Sequence, residues 1–299
     1  MELSVQIGNL TLRNPVGVAS GTFGYGSEYE SLIPVDQLGA IYTKAVTLEP
    51  RQGNQVPRMV ETPSGMLNSI GLANVGIEAF ISRKLPFLRT CKAAVIVNAA
   101  GSAEGDYLEV VRQLEDHEVD GYEINISCPN VKHGGLAFGT DPKMVESLVG
   151  ALRKLTERPL IIKLTPNVTS IGEIAKAAEA AGADALSCIN TVKGMIIDTK
   201  KRKPAIPAGI AGLSGPAVLP IGLANVYQTA KAVSIPVVGL GGITTADHAV
   251  QYLLAGASAV QIGTANFVDP KVSMAVLDGI QEYAKTQGFE KIQDFHGFF

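Results

Sequence analysis

Eight short apolar runs punctuate the chain, separated by stretches whose apolar residues recur at helical spacing. They are VGVAS (16–20), AIYTKAV (40–46), AVIVN (94–98), YEINIS (122–127), LIIKL (160–164), ALSCIN (185–190), PVVGLGG (236–242) and AVQIGT (259–264). Runs this short and this continuously apolar suit strands buried on both faces, as in a parallel sheet covered by helices. The helical stretches carry their own boundaries. Ser170 with Glu173 gives a capping-box pattern beside EIAKAAEAA, and Gly182 follows as a stop. Asp141-Pro142 supplies an N-cap and a first helical position before KMVESLVGALRKL. Thr244 or Thr245 opens ADHAVQYLLA, and Gly256 closes it.

Eight strand–helix units without a linker or a shift in composition predict one domain over residues 1–299, a (β/α)8 TIM barrel. On pattern alone, a doubly wound open sheet is the alternative. LSVQIGNLTLRNP predicts an N-terminal β-hairpin turning at Gly8-Asn9, which would cover the N-terminal end of the barrel. Two connections are long, residues 47–73 after strand 2 and 191–217 after strand 6. Long loops in compact domains are usually functional covers.

The C-terminal ends of the strands offer, in order, Ser20, Lys44, Asn98, Asn125, Lys163, Asn190, Gly241-Gly242 and Gly263-Thr264. In a barrel, catalytic groups stand at this end, and the loops after strands 7 and 8 commonly hold a phosphate. Glycines let backbone N–H groups approach phosphate oxygens closely. Taken singly, each asparagine can simply stop a strand by bonding nearby backbone, and each lysine can reach out to solvent. Six polar tips with two glycine turns together describe a site. Lys163 shares parity with Ile161 and so should point inward near the mouth, where a cation needs a partner or an anionic ligand.

Composition narrows the function. The 299 residues are 46% hydrophobic and 18% charged, with net charge −3, so the basic field of a nucleic-acid binder is missing. The run KKRK (200–203) is expected to be a solvated loop face. No apolar stretch reaches membrane-span length, and the N-terminus lacks the pattern of a signal peptide, so a cytoplasmic protein without a membrane partner is expected. The cysteines Cys91, Cys128 and Cys188 form no CxxC, and the four histidines have no metal-ligand spacing, so neither a zinc site nor an iron–sulfur cluster is expected in this chain. Cys188, inside LSCIN, should be a buried inert thiol. Cys91 lies in a polar connection and carries no assignment.

Several long stretches resemble the class 1 dihydroorotate dehydrogenases, flavin enzymes of pyrimidine biosynthesis. They are NPVGVASGTFGYG (14–26), TKAVTLEPRQGNQVPRMVETPSGMLNSIGLAN (43–74), NISCPNVKHGG (125–135), IKLTPNV (162–168), INTVKGMIID (189–198), AGLSGPA (211–217), GLGGI (239–243) and VQIGTANF (260–267). The cysteine of NISCPN is similar to class 1, where class 2 enzymes typically carry serine, and the PNVKHGG continuation and the N-terminal LSVQIGNLTLRNPV resemble subtype 1B more than 1A. The resemblance implies FMN contacts from Ser20, Lys44, Ala45, Asn98, Asn125, Lys163, Ile189, Gly215, Gly241, Gly242, Gly263 and Thr264. It implies substrate contacts from Lys44, Asn68, Ser69, Ile70, Gly71, Leu72, Asn125, Asn190 and Thr191, with Cys128 as catalytic base. In the implied chemistry Cys128 takes a proton from C5 of dihydroorotate while hydride leaves C6 for the flavin, and Lys163 stabilises the charge that gathers near flavin N1. A thiol at its ordinary pKa is only about 3% ionised at pH 7, so tuning by the site is expected. The glycine-rich PNVKHGGLAFGTD after Cys128 is expected to act as a lid.

Subtype 1B implies a partner subunit carrying FAD and a [2Fe–2S] cluster that passes electrons to NAD, with this chain a homodimer inside a heterotetramer. Subtype 1A, which gives electrons to fumarate, is the nearest rival. A phosphate-binding barrel isomerase or aldolase without redox function is the rival from another class.

Overall fold

The computed structural model describes residues 2–127, 129–130 and 136–297, with the backbone alone at 129, 130, 136 and 137. Eight parallel strands close into a barrel. They are β1 (Val16–Val18), β2 (Ala40–Tyr42), β3 (Ala94–Ala99), β4 (Gly121–Asn125), β5 (Leu160–Leu164), β6 (Ala185–Cys188), β7 (Val237–Leu240) and β8 (Ala259–Ile262). Each pairs with the next, and β8 pairs with β1, Val260 opposite Val16 and Ile262 opposite Val18. Every predicted apolar run therefore holds a barrel strand, and the open doubly wound sheet is ruled out by closure. Six strands are shorter than their runs, whose last residues turn into the loops at the mouth, while β5 matches its run and β3 exceeds it by one residue.

Helices Glu104–Leu114, Pro142–Arg153, Ile171–Ala180, Leu219–Ala232, Ala246–Leu254 and Val272–Gln287 pack around the barrel. Their starts follow the sequence signals. Asp141 accepts from the Lys143 N–H ahead of Pro142, and Thr245 accepts from the His248 N–H, which decides between the two candidate threonines. Ser170 accepts from the Glu173 N–H at 3.4 Å, the forward half of the expected capping box.

The first unit departs from the pattern. After β1 the chain makes only two 3-10 turns, Ser27–Tyr29 and Val35–Gln37, where a helix was expected. The reason is local: Gly21, Gly24 and Gly26 all take positive φ, and Pro34 interrupts what remains. After β2, the helical stretch Ile77–Leu88 includes a π turn over Phe80–Lys84.

Val5–Ile7 and Leu10–Leu12 form the expected N-terminal hairpin, with Gly8 at φ 55 in the turn. It lies against the N-terminal ends of the strands: Gly8 packs on Asp184, just before β6, and Asn9 bonds the Glu157 carbonyl, just before β5. Ile7, Val5 and Leu12 are buried there. At the opposite end the two long loops fold together. Met59–Thr62, Gly65–Asn68, Ala211–Ser214 and Val192–Gly194 make one four-stranded antiparallel sheet over the mouth. The covers are thus a single shared structure. KKRK lies on the small hairpin Ile197–Asp198/Lys203–Pro204, exposed, with Lys201 paired to Asp198 at 3.3 Å.

Candidate active site

Between the barrel mouth and this sheet lies a cavity of about 250 Å³. Ser20, Lys44, Ala45, Asn98, Asn125, Lys163, Ile189, Gly215, Gly241, Gly242, Gly263 and Thr264 all line it, and so do Asn68, Ile70, Leu72, Asn190 and Thr191. Residues from all eight strand ends therefore converge on one space. Ser69 and Gly71 do not face it. The chain bends here, with Gly71 and Leu72 at φ 71 and 56, and Ser69 and Gly71 turn toward Asn54. Ser69 accepts from Asn54 Nδ2 at 2.7 Å on the far side, and Gly71 packs on Asn54. Cys128 lies outside the described residues, as do residues 131–135 of the expected lid. Beside them, Pro129–Asn130 pairs antiparallel with Leu136–Ala137.

The cavity has a cationic floor and rim. Lys163, 4% exposed, reaches Ser20 Oγ at 3.1 Å and Glu123 Oε2 at 3.4 Å. Lys44 makes no ion pair among the described residues, and burial, aided by the nearby Arg58 charge, lowers its pKa below the usual lysine value. An ammonium destabilised in this way favours an anionic neighbour.

On one wall, Asn190 Nδ2 donates to Asn125 Oδ1 (3.3 Å) and to Ser127 Oγ (3.0 Å), which fixes both amides at the cavity face. Tyr107 holds the Asn125 carbonyl from behind at 2.9 Å. Asn74 ties the cover down. Its Oδ1 accepts from the Thr47 and Gly76 N–H groups, and its Nδ2 donates to the Leu72 carbonyl and Thr47 Oγ1. On the opposite side, Gly215, Gly241 and Gly242 take φ values of 93, 132 and 71. The Tyr252 hydroxyl, from the helix that follows β7, holds the Gly241 carbonyl at 2.7 Å.

The sequence reasoning missed Glu123. It is fully buried on β4 and accepts four hydrogen bonds. Ser187 Oγ (2.8 Å) and Gln261 Nε2 (2.9 Å) meet Oε1, while Asn98 Nδ2 (2.6 Å) and Lys163 Nζ meet Oε2. Burial acts to raise its pKa, but the Lys163 charge and the three neutral donors outweigh it and hold the carboxyl below its ordinary value. Parity was the available signal: Glu123 shares its side of β4 with Asn125 and so faces inward one layer deeper. Cys188 is buried as expected, with its thiol pushed up to about 12 by burial. Cys91 is partly buried, its thiol near the Phe87 carbonyl. Among the described residues, no three His, Cys, Asp or Glu cluster as metal ligands, and no helix is long and apolar enough to cross a membrane.

The family model for dihydroorotate dehydrogenase matches residues 2–283. The chain belongs to the dihydroorotate dehydrogenase family. Among its relatives, the protein of Geotalea uraniireducens named dihydroorotate dehydrogenase B (NAD(+)), catalytic subunit, is 51% identical over 297 residues, covering 99% of this chain and 97% of its own. The proteins of the same name from Geobacter metallireducens and Alkaliphilus oremlandii are 52% and 51% identical, again over 99% of this chain, and over 97% and 98% of theirs. Membership in the dihydroorotate dehydrogenase family removes the isomerase and aldolase alternative. The NAD(+) in these relatives' names gives no support to the fumarate-linked one.

Proposed function

We propose that this chain is the FMN-binding catalytic subunit of an NAD-linked dihydroorotate dehydrogenase, a single-domain cytoplasmic enzyme that oxidises dihydroorotate to orotate in pyrimidine biosynthesis. The observation that carries the site reading is the convergence, in one cavity, of a buried ammonium, a glycine-lined rim and a wall of fixed amides.

Three features support FMN as an occupant. Asn98 Oδ1 is buried without a hydrogen-bond partner, an acceptor suited to a ring N–H. The turn after β7 places Gly241 and Gly242 beside the start of helix Ala246–Leu254, where a phosphate is favoured by backbone N–H groups and the helix dipole. Lys163 brings a positive charge to the cavity floor. In this reading Gly215, Gly241, Gly242, Gly263 and Thr264 hold the phosphate end, and Ser20, Lys44, Ala45, Asn98, Asn125, Lys163 and Ile189 hold the ring.

FMN, when bound, supplies the acceptor for the substrate's hydride. The chain's own residues do the rest. Lys44 attracts the anionic substrate, and Asn68, Asn125, Asn190 and Thr191 offer the paired donors and acceptors that an amide-lined ring requires. Ile70 and Leu72 close the apolar side and exclude water, while Ser69 and Gly71 act only by shaping that stretch. Cys128, assigned from its motif, takes the C5 proton. Electrons then pass to a partner subunit with FAD and a [2Fe–2S] cluster, docked on a dimer of this chain.

Purified chain, alone and mixed with that subunit, tests the reading. NAD⁺ reduction by dihydroorotate should need both chains, and fumarate should not serve as acceptor. Turnover with fumarate by this chain alone contradicts it.

A further inference from the structure

Glu123 lies outside the cavity wall, yet two of its four donors, Asn98 and Lys163, line the cavity. The donors come from β3, β5, β6 and β8, so one carboxylate ties together four strands of the barrel. A carboxylate offers about four acceptor positions, and all four are used. This has two consequences. With Nδ2 of Asn98 given to the carboxylate at 2.6 Å, its Oδ1 must turn away, and Oδ1 is the buried atom left without a partner. A flipped amide would set two acceptors against each other. The second consequence concerns charge. Lys163 has a carboxylate 3.4 Å away, so the ammonium meets any ring above it partly balanced.

We propose that Glu123 is a positioning residue for the flavin: it holds the Asn98 acceptor and the Lys163 ammonium in place, and its negative charge keeps the flavin's reduction potential below the value Lys163 alone would set. This rests on the FMN occupancy proposed above. A hydride brings two electrons and one proton, so reduction adds one negative charge to a flavin. A lone ammonium at low dielectric stabilises that charge strongly, and a balanced pair does so less.

Glu123→Gln keeps the side chain's shape and removes the charge. Its preference for reduced over oxidised FMN should rise at least tenfold, ~30 mV more positive for a two-electron couple. Ser187→Ala removes one neutral donor and leaves the carboxylate less neutralised, so its potential should move the other way by a smaller step, about threefold in the same ratio. A purely structural role gives no reason for opposite signs. Potentials are read by equilibration with a reference dye at pH 7, with FMN content and Tm measured on the same samples.

An unmoved potential in Glu123→Gln carrying full FMN, or shifts of one sign in both variants, overturns the proposal. If Glu123→Gln does not fold, Ser187→Ala decides alone: a negative shift supports the proposal, and no shift or a positive one overturns it. Wild-type protein that binds no FMN sinks the cofactor reading instead, so the two failures are distinct.

Discussion

Replacing Lys163 with methionine removes the cation facing Glu123 and keeps an unbranched stem in its place. The pair is 3.4 Å apart, with side-chain exposures of 5% and 0%. Deleting one partner of a buried pair leaves an uncompensated charge and costs about 3–5 kcal/mol. Asn98, Ser187 and Gln261 still donate to the carboxylate, which favours the lower end, about 3 kcal/mol. In a barrel of this size each kcal/mol is worth roughly 2 °C, so Tm should fall by about 6 °C. The pH dependence has a definite sign. Glu123 is held below its ordinary value of 4.5, so its contribution is present above that pH and is lost as pH falls through the lower folded value. In the variant that contribution is already missing. The gap between wild type and Lys163→Met is therefore widest at neutral pH and narrows below about 4.5. Calorimetry on flavin-free protein avoids stabilisation by bound cofactor. The double variant Lys163→Met/Glu123→Gln should recover part of the loss, because no charge remains buried. Equal Tm values at pH 7, or a gap that widens on acidification, would refute this account of the pair.

Three other outcomes are expected. Cys128→Ala should retain FMN but slow flavin reduction by dihydroorotate about 10²–10⁴-fold in stopped-flow, and an unchanged rate removes Cys128 as the base. Gly242→Ala forces a side chain into φ 71 with its Cβ 2.7 Å from the Leu219 nitrogen, and left-handed backbone costs about 1–2 kcal/mol. Its FMN Kd should rise roughly tenfold or more by fluorescence titration, and an unaltered Kd counts against that turn as a phosphate site. Cys188 should resist maleimide at pH 8 in native protein and react after unfolding, as read by peptide mass mapping; native labelling would contradict its burial.

The barrel was legible because its strands are buried on both faces and leave unbroken apolar runs, while each polar tip marks the mouth. Lys163 announced itself by parity. Other features left weaker traces. The four-stranded cover is built from short, glycine-rich segments of mixed polarity, and their pairing joins residues such as Leu67 and Leu213, far apart in the chain. Glu123 sits inside an apolar strand and reads as one charge among aliphatics until the barrel closes and brings Ser187 and Gln261 to it. Ser69 and Gly71 turn toward Asn54 where the chain bends through the left-handed Gly71 and Leu72, a local detail that a motif match treats as one continuous contact stretch. The missing first helix was visible in principle, since three glycines and a proline lie where it would run.

The central claim is that this cavity brings FMN and dihydroorotate together for hydride transfer. Anaerobic titration of the purified chain with dihydroorotate tests it most directly, by following the visible absorbance of the bound flavin. The account predicts a yellow protein that bleaches as dihydroorotate is added, with orotate released as it does so. A colourless protein, or a yellow one whose spectrum dihydroorotate leaves unchanged, would contradict it.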